Sequence, residues 1–480
     1  MIHERAMHLY EHIIQEIRMQ IEHRVLQPGS RLPSVRKLSR QKGISISTVL
    51  QAYMHLEDMG LIEARPQSGY YVRQQLRYLP PEPSMQRFAP RPAHVENVVT
   101  LVEDLINTYQ YSDFVPLGAA MPAPNLLPIR KISKLYASLA RQHTHTIARY
   151  EHPAGNMELR RQIVLRAMDW GGVFTPDDVI TTGAATEALT LCLRAVAREG
   201  DTIAVESPCY FGILRVIEGL GMRALEIPTD PKTGISLDSL HTVMRRHQIT
   251  AIALVSNFSN PLGCCIPDNY KAELVALASE YEIPIIEDDV YGDLYFGMQR
   301  PKPIKAFDTE GWVMLCDSFS KTVSPGLRVG YTIPGRFYDN VYRLKIASTL
   351  ASPTLPQLVM AQFLQTGGYD HHMRTLRRAF ASQIQSMTSA IGEYFPEGTK
   401  VTRPHGGFVL WVECPRNLDT LALHTAAMQE KISIAPGRTF SQTDNYNHCL
   451  RLNCGYPWTP SIQQAVRTLG RLASHLLNTH

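Results

Sequence analysis

The chain has 480 residues, 44% hydrophobic and 19% charged, which suits two or three folded domains and excludes a disordered or low-complexity protein. Charges interrupt its opening residues and no apolar run reaches bilayer length, so neither a signal peptide nor a membrane partner is expected, and a cytoplasmic location is. The formal net charge is only +4, yet residues 1–94 hold 13 Lys and Arg against 8 Asp and Glu, so the positive excess lies in the N-terminal fifth, where a nucleic-acid footprint would be carried.

Residues 1–73 read as helices followed by a small hairpin. From Tyr10 to Ile21, the residues Ile13, Ile14, Ile17 and Ile21 share one helical face. Pro28-Gly29 predicts a turn. Ser34 is placed to cap a helix running to about Gln41, which Lys42-Gly43 ends. Ser45 or Ser47 then caps a second helix, Thr48 to Met59, ended by Gly60. Two short helices joined this way form a helix-turn-helix. Leu61 to Ala64 and Tyr70 to Val72, either side of Arg65-Pro66-Gln67-Ser68-Gly69, suit a two-stranded wing.

Ser47, Thr48 and Gln51 open the second helix, where side chains reach base edges in a major groove. Arg31, Ser34, Arg36 and Lys37 are placed for phosphates or groove edges. The Leu-Pro-Ser-x-Arg-x-Leu segment, the Ser-x-Ser-Thr-Val segment and the Ala-Tyr-x-x-Leu-Glu-x-x-Gly-Leu-Ile segment with its glycine-bearing wing resemble the GntR family of winged-helix regulators. That resemblance implies double-stranded promoter DNA as a partner. Several members carry arginines early in the second helix, where this chain has Ile46 and Leu50.

Residues 74–94 contain five prolines and little periodicity. Proline removes backbone donors and favours extended neighbours, so a linker is predicted over 74–112. Beyond it, apolar strand-like runs alternate with helical patterns and predict an α/β domain over 113–480. Examples are Thr202 to Val205, Ile252 to Val255 and Ile283 to Ile286. Eight cysteines between Cys192 and Cys454 form no CxxC pair, and Cys264 and Cys265 are adjacent, so free thiols in a reducing compartment are expected and no metal site is.

The chemistry of this body begins at a strand-to-helix turn, Thr181-Thr182-Gly183-Ala184-Ala185-Thr186-Glu187-Ala188, whose amides could cradle a phosphate. Tyr210, in Ser207-Pro208-Cys209-Tyr210, could stack on a ring. Asn260 follows a buried strand, in Ser259-Asn260-Pro261-Leu262-Gly263. Pro284 to Asp289 is an apolar strand ending in carboxylates, at the strand end where α/β sheets bind ligands. A buried carboxylate there needs a cation, and a pyridinium nitrogen would serve Asp288. Tyr291 and Asn260 could both bond the ring hydroxyl.

Lys321, in Cys316-Asp317-Ser318-Phe319-Ser320-Lys321 and followed by Arg328, could form a Schiff base with an aldehyde cofactor. Ser318, Ser320 and Arg328 would hold that cofactor's phosphate. Arg451 offers a bidentate site for a substrate carboxylate. These blocks, in this order, resemble class I/II aminotransferases of fold type I, a family that uses pyridoxal 5'-phosphate (PLP). The resemblance implies a large and a small subdomain and Lys321 as the cofactor-carrying catalytic lysine. It also implies Asp288 as the pyridine partner, Arg451 as the α-carboxylate anchor and a homodimer in which Tyr150 serves the neighbouring subunit's phosphate site. Gly118 is implied as the small residue that leaves room for substrate.

A GntR-type winged head, a proline-bearing linker and an aminotransferase-like body together resemble the MocR subfamily of regulators. That implies a transcriptional regulator with PLP, or an amino compound reacting at Lys321, as effector. The alternative is a working aminotransferase with an accessory DNA-binding head.

Overall fold

The computed structural model describes residues 9–478 except 24, 28, 59–60, 66–67, 73–78, 95–102, 104–106 and 108–112. The expected features at Pro28, Met59, Gly60 and Pro66-Gln67 therefore lie outside the described residues. The chain divides into two compact units, Met1–Leu79 and Pro80–His480.

In the first unit, α1 (Leu9–Glu22), α2 (Val35–Lys42) and α3 (Ile46–Asp58) precede a hairpin of β1 (Ile62–Arg65) and β2 (Gly69–Val72). Ile13, Ile17 and Ile21 of α1 are buried with Val49, Ala52, Tyr53 and Leu56 of α3, while Leu32, Leu38, Ile62 and Val72 close the same small core. Burying each of these aliphatic side chains contributes roughly 1.5–3 kcal/mol. Ser34 Oγ accepts from Lys37 N at 3.3 Å, as a helix N-cap does, and Gly43 ends α2 with φ +66°.

Of the two serines expected to cap α3, it is Ser45 that does so: its Oγ accepts from Thr48 N at 3.1 Å. Ser47 lies inside the helix, which starts two residues earlier than expected. The wing is an antiparallel hairpin with Ile62 opposite Val72, and Arg65 and Gly69, expected in the connecting turn, pair as its last rung.

The second unit is built on a twisted sheet. Its strands are β3 (Pro92–His94), β5 (Ile180–Thr182), β6 (Thr202–Ser207), β7 (Arg223–Asp230), β8 (Gly234–Ile235), β9 (Ala251–Leu254), β10 (Ile285–Asp288), β11 (Val313–Ser318) and β12 (Gly330–Ile333); a separate short strand, β4 (Val115–Pro116), comes before β5 in the chain. The order is β3-β7-β6-β9-β10-β11-β12-β5, with β8 paired to β7. Strands β7, β6, β9, β10 and β11 are mutually parallel. Their carboxyl ends therefore share one edge of the sheet, which is where such folds bind ligands.

Both faces of the central strands are covered. Val205, Ala253 and Ile286 enter one core, and Ala204, Ile252 and Ile285 the other. That explains why these strands read as continuous apolar runs rather than as alternating ones. Strand β10 starts after Pro284, which has no N–H to give the ladder. Strand β9 stops at Leu254 because the next amide, Val255 N, donates to Glu206 Oε2 at 2.8 Å.

A smaller antiparallel sheet carries β13 (Lys400–Val401), β14 (Val409–Glu413), β16 (Ala435–Pro436) and β17 (Cys449–Asn453) in the order β13-β14-β17-β16. The short β15 (Ile432–Ser433) pairs with β4, so the start of the body is stitched to this subdomain.

The predicted linker is corrected over part of its length. Pro92–His94 forms the edge strand of the large sheet, Pro81 O accepts from Val401 N at 2.9 Å, and Glu82 pairs with Lys232 at 2.7 Å. Proline's missing N–H is tolerated on an edge strand, so proline content there marked an edge and not a free tether.

Candidate functional site

The parallel strand ends bring together residues far apart in sequence. Asp288 closes β10 and is 2% exposed; its Oδ1 accepts from Val290 N at 3.3 Å. Burial, with Asp289 next door, raises its carboxyl to a pKa of about 7. Asn260 Nδ2 donates to the Tyr291 hydroxyl at 3.4 Å, so the two residues expected to share one ring oxygen do meet. Burial raises Tyr210 to a pKa of about 12, with Asp288 adding to the effect and Arg451, Arg215 and Arg328 opposing it.

Lys321 follows β11. Its Nζ donates to Ala120 O at 2.9 Å and lies 3.3 Å from Met121 Sδ. Burial lowers its pKa to about 8, helped by Arg451 and Arg328 and opposed by Asp288. An amine tuned this way is a far better nucleophile near neutral pH than an ordinary lysine.

The strand-to-helix turn expected to cradle a phosphate leads into the helix Ala185–Val196. Ala184 is its N-cap at φ +74°, with no side-chain cap, so the first-turn amides point outward from a positive helix end. Arg328 sits at φ +51° and its Nη2 donates to Gly183 O at 3.2 Å. Two non-glycine residues in this backbone region are costly and occur together at ligand sites. Gly330 is needed beside them, because a Cβ there would lie 2.6 Å from Ala184 Cα. Ser320 Oγ is buried without a partner among the described residues, whereas Ser318 Oγ already accepts from Ser320 N at 3.4 Å.

Arg451 lies mid-strand in β17, fully buried. Its Nη2 donates to Gly118 O, while Nε and Nη1 have no hydrogen-bond partner among the described residues. Gly118 thus contributes a carbonyl acceptor. Burial lowers even this guanidinium, to a pKa of about 10. Tyr150 is not brought to these residues: it is 87% exposed.

Sequence reasoning missed the layer behind the site. Arg300 bridges Asp289 Oδ2 at 2.5 Å and Asp293 Oδ1 at 2.6 Å, and Tyr331 donates to Asp317 Oδ2 at 2.8 Å. Burial opposes ionisation of Asp293, but Arg300 and Arg166 hold its carboxyl below the usual range. These groups anchor the residues following Asp288 and preceding Ser318. The doubled carboxylate Asp288-Asp289 was the available signal; its arginine partners, contributed by other segments, carried none. Glu206 is also buried, and its Oε1 is unpartnered.

In the head, Arg31, Ser34, Arg36, Lys37, Ser47 and Gln51 are exposed and Thr48 is half-buried, its Oγ1 2.7 Å from Ser45 Oγ. All of them lie on α2, on α3 or immediately ahead of α2.

The family described as "Aminotransferase class I and II" matches residues 119–468, and "Bacterial regulatory proteins, gntR family" matches residues 9–72. The HTH-type transcriptional regulator YjiR of Escherichia coli is 39% identical over 465 residues, which is 96% of this chain and 98% of that protein. A 2-aminoadipate transaminase of Thermus thermophilus is 28% identical, covering 78% of this chain and 94% of the enzyme. Among solved structures, the α-aminoadipate aminotransferase LysN of Thermus thermophilus, complexed with N-(5'-phosphopyridoxyl)-L-leucine, superposes with a TM-score of 0.74 at 27% identity, covering 81% of this chain and 97% of that one.

Proposed function

Because residues 119–468 belong to the class I and II aminotransferase family, and the whole chain to the GntR-headed HTH-type transcriptional regulators of MocR architecture, we propose that it is a cytoplasmic, ligand-gated regulator of transcription. The observation that carries this reading is the meeting of Lys321, Asp288 and Arg451 in the body of a chain that also carries a winged helix-turn-helix. The buried atoms Asn260 Oδ1, Ser320 Oγ, Arg451 Nε and Arg451 Nη1, without a partner among the described residues, fit a bound polar ligand. Left without one, each would cost about 1–3 kcal/mol.

The donor set fits PLP. Asp288 would hold the ring nitrogen, Asn260 and Tyr291 the ring hydroxyl, and Tyr210 the ring face. Ala184 and Ala185 amides with Ser318, Ser320 and Arg328 would hold the phosphate, joined by Tyr150 of the partner subunit. Lys321 would carry the cofactor through its amine, and Arg451 would orient an incoming amino compound by its carboxylate. When bound, PLP supplies an electron-withdrawing ring that activates an attached amine.

A homodimer of bodies would present two heads to an operator of two half-sites. The ligand acts by binding two arrangements of the protein unequally, a coupling commonly worth ~1–3 kcal/mol. Fluorescence anisotropy with promoter DNA, with and without PLP and with added amino compounds, tests this. A shift in affinity or footprint is expected; identical affinity and footprint under all conditions would contradict it.

A second reading, a working aminotransferase, is favoured by the near-neutral Lys321 amine, which suits proton transfer as well as covalent attachment. Amino donors that convert the bound cofactor with release of a keto acid would support it, and a broad donor screen without conversion would remove it.

A further inference from the structure

The outward face of α3 has a composition that limits what it can read. Its inner face, Val49, Ala52, Tyr53 and Leu56, is fully buried. Its C-terminal end is tied to the wing, since Glu57 Oε1 accepts from Ala64 N at 2.9 Å. What remains outward in the first two turns is Ile46, Ser47, Leu50 and Gln51. Ile46 is 52% exposed and Leu50 41% exposed, and neither belongs to the head's core. Spaced four apart, they form one apolar stripe beside the polar stripe of Ser47 and Gln51.

No Arg or Lys occurs anywhere in α3. The commonest specific reader of guanine, a bidentate Arg or Lys on O6 and N7, is therefore unavailable to this helix. Exposed cations on α2 and just before it, at Arg31, Arg36, Lys37 and Arg40, suit phosphates. In a major groove the apolar feature of a base edge is the thymine 5-methyl group, and the partner of a glutamine amide is adenine.

We propose that α3 selects A·T base pairs, with Ile46 and Leu50 packed on thymine methyls and Gln51 bonded to adenine. This rests on the DNA-binding reading above. The apolar stripe then has a defined occupant, two methyl groups on the floor of an operator half-site.

The test begins by selecting operators from a random duplex library with the full-length protein. Thymine in each half-site is then replaced, one position at a time, by uracil, which differs only in lacking the methyl. Affinity is measured at fixed salt. A loss of roughly fourfold is expected for each contacted methyl. In Ile46→Ala or Leu50→Ala the same replacement should cost nothing, which ties the methyl to the side chain. Gln51→Ala should relax the preference for adenine at one position.

Selected half-sites dominated by G·C pairs, or specific binding indifferent to every methyl, would overturn the proposal while leaving DNA binding intact. Failure to bind any duplex at low salt would overturn the DNA-binding reading, and this one with it.

Discussion

Arg451 Nη2 donates to the carbonyl of Gly118, joining two residues from opposite ends of the body, both of which we propose face one substrate site. The contact fixes the guanidinium from one side and leaves Nε and Nη1 to be satisfied by something else. Arg451→Lys keeps the charge and loses the fork. It is expected to weaken the response to α-amino acids by roughly tenfold to hundredfold, while amines lacking a carboxylate are unaffected. Spectral titration of the cofactor with matched pairs of amino acid and decarboxylated amine checks this.

The lowered Lys321 amine sets a pH profile. Attachment of an aldehyde needs the neutral amine, so the rate of PLP capture by cofactor-free protein should climb with pH and level off above about 8. An ordinary lysine would keep climbing toward its usual value of 10.5. Stopped-flow absorbance across this range distinguishes the two.

Asp288 makes a prediction of opposite sign for stability and function. Its folded pKa is about 7, above the ordinary carboxyl value of 3.8, so the folded state holds a proton that the unfolded chain has lost between those values. Cofactor-free protein should therefore lose stability as pH rises from about 4 to 7. Asp288→Asn removes that penalty and should melt higher than the parent above pH 7 when cofactor-free, by roughly 2 °C or more. With the ring nitrogen's partner gone, its affinity for PLP should fall roughly tenfold to hundredfold. Calorimetry with and without cofactor reads both effects.

Tyr150, 87% exposed in one chain, should matter only across a dimer. Tyr150→Phe is expected to leave thermal stability of the cofactor-free protein within about 0.5 kcal/mol and to weaken PLP binding several-fold. Equilibrium dialysis checks the affinity.

On the head, Arg36→Ala should weaken binding to all duplexes alike. The slope of log affinity against log salt should become shallower by roughly 0.9 if Arg36 neutralises one phosphate. Anisotropy titrations at several salt concentrations read that slope.

Much of this was legible because local chemistry decided it. Ser34 and Gly43 announced α2 by their capping preferences, and the isoleucines of α1 announced their face by spacing. Lys321, Asp288 and Arg451 stood out because each sat in a short segment with its own chemical logic. The rest depended on contacts between distant segments. Ala120 and Met121 meet Lys321 across some 200 residues of sequence, a contact no local pattern specifies. Arg300 reaches Asp289 and Asp293 from a loop whose sequence is unremarkable. Pro92–His94 reads as a tether but fills a sheet edge, since proline is compatible with both. Ser45 and not Ser47 caps α3 because the helix starts at Ile46, a boundary that spacing alone does not specify.

The residue to which PLP attaches is the most direct test of the proposed site. Purified protein loaded with PLP, reduced with borohydride and digested, should yield the pyridoxyl mass on the peptide containing Lys321 and no such peptide from Lys321→Ala. An unmodified Lys321 peptide, or the same mass on another lysine, would contradict the proposed site and the ligand gating built on it.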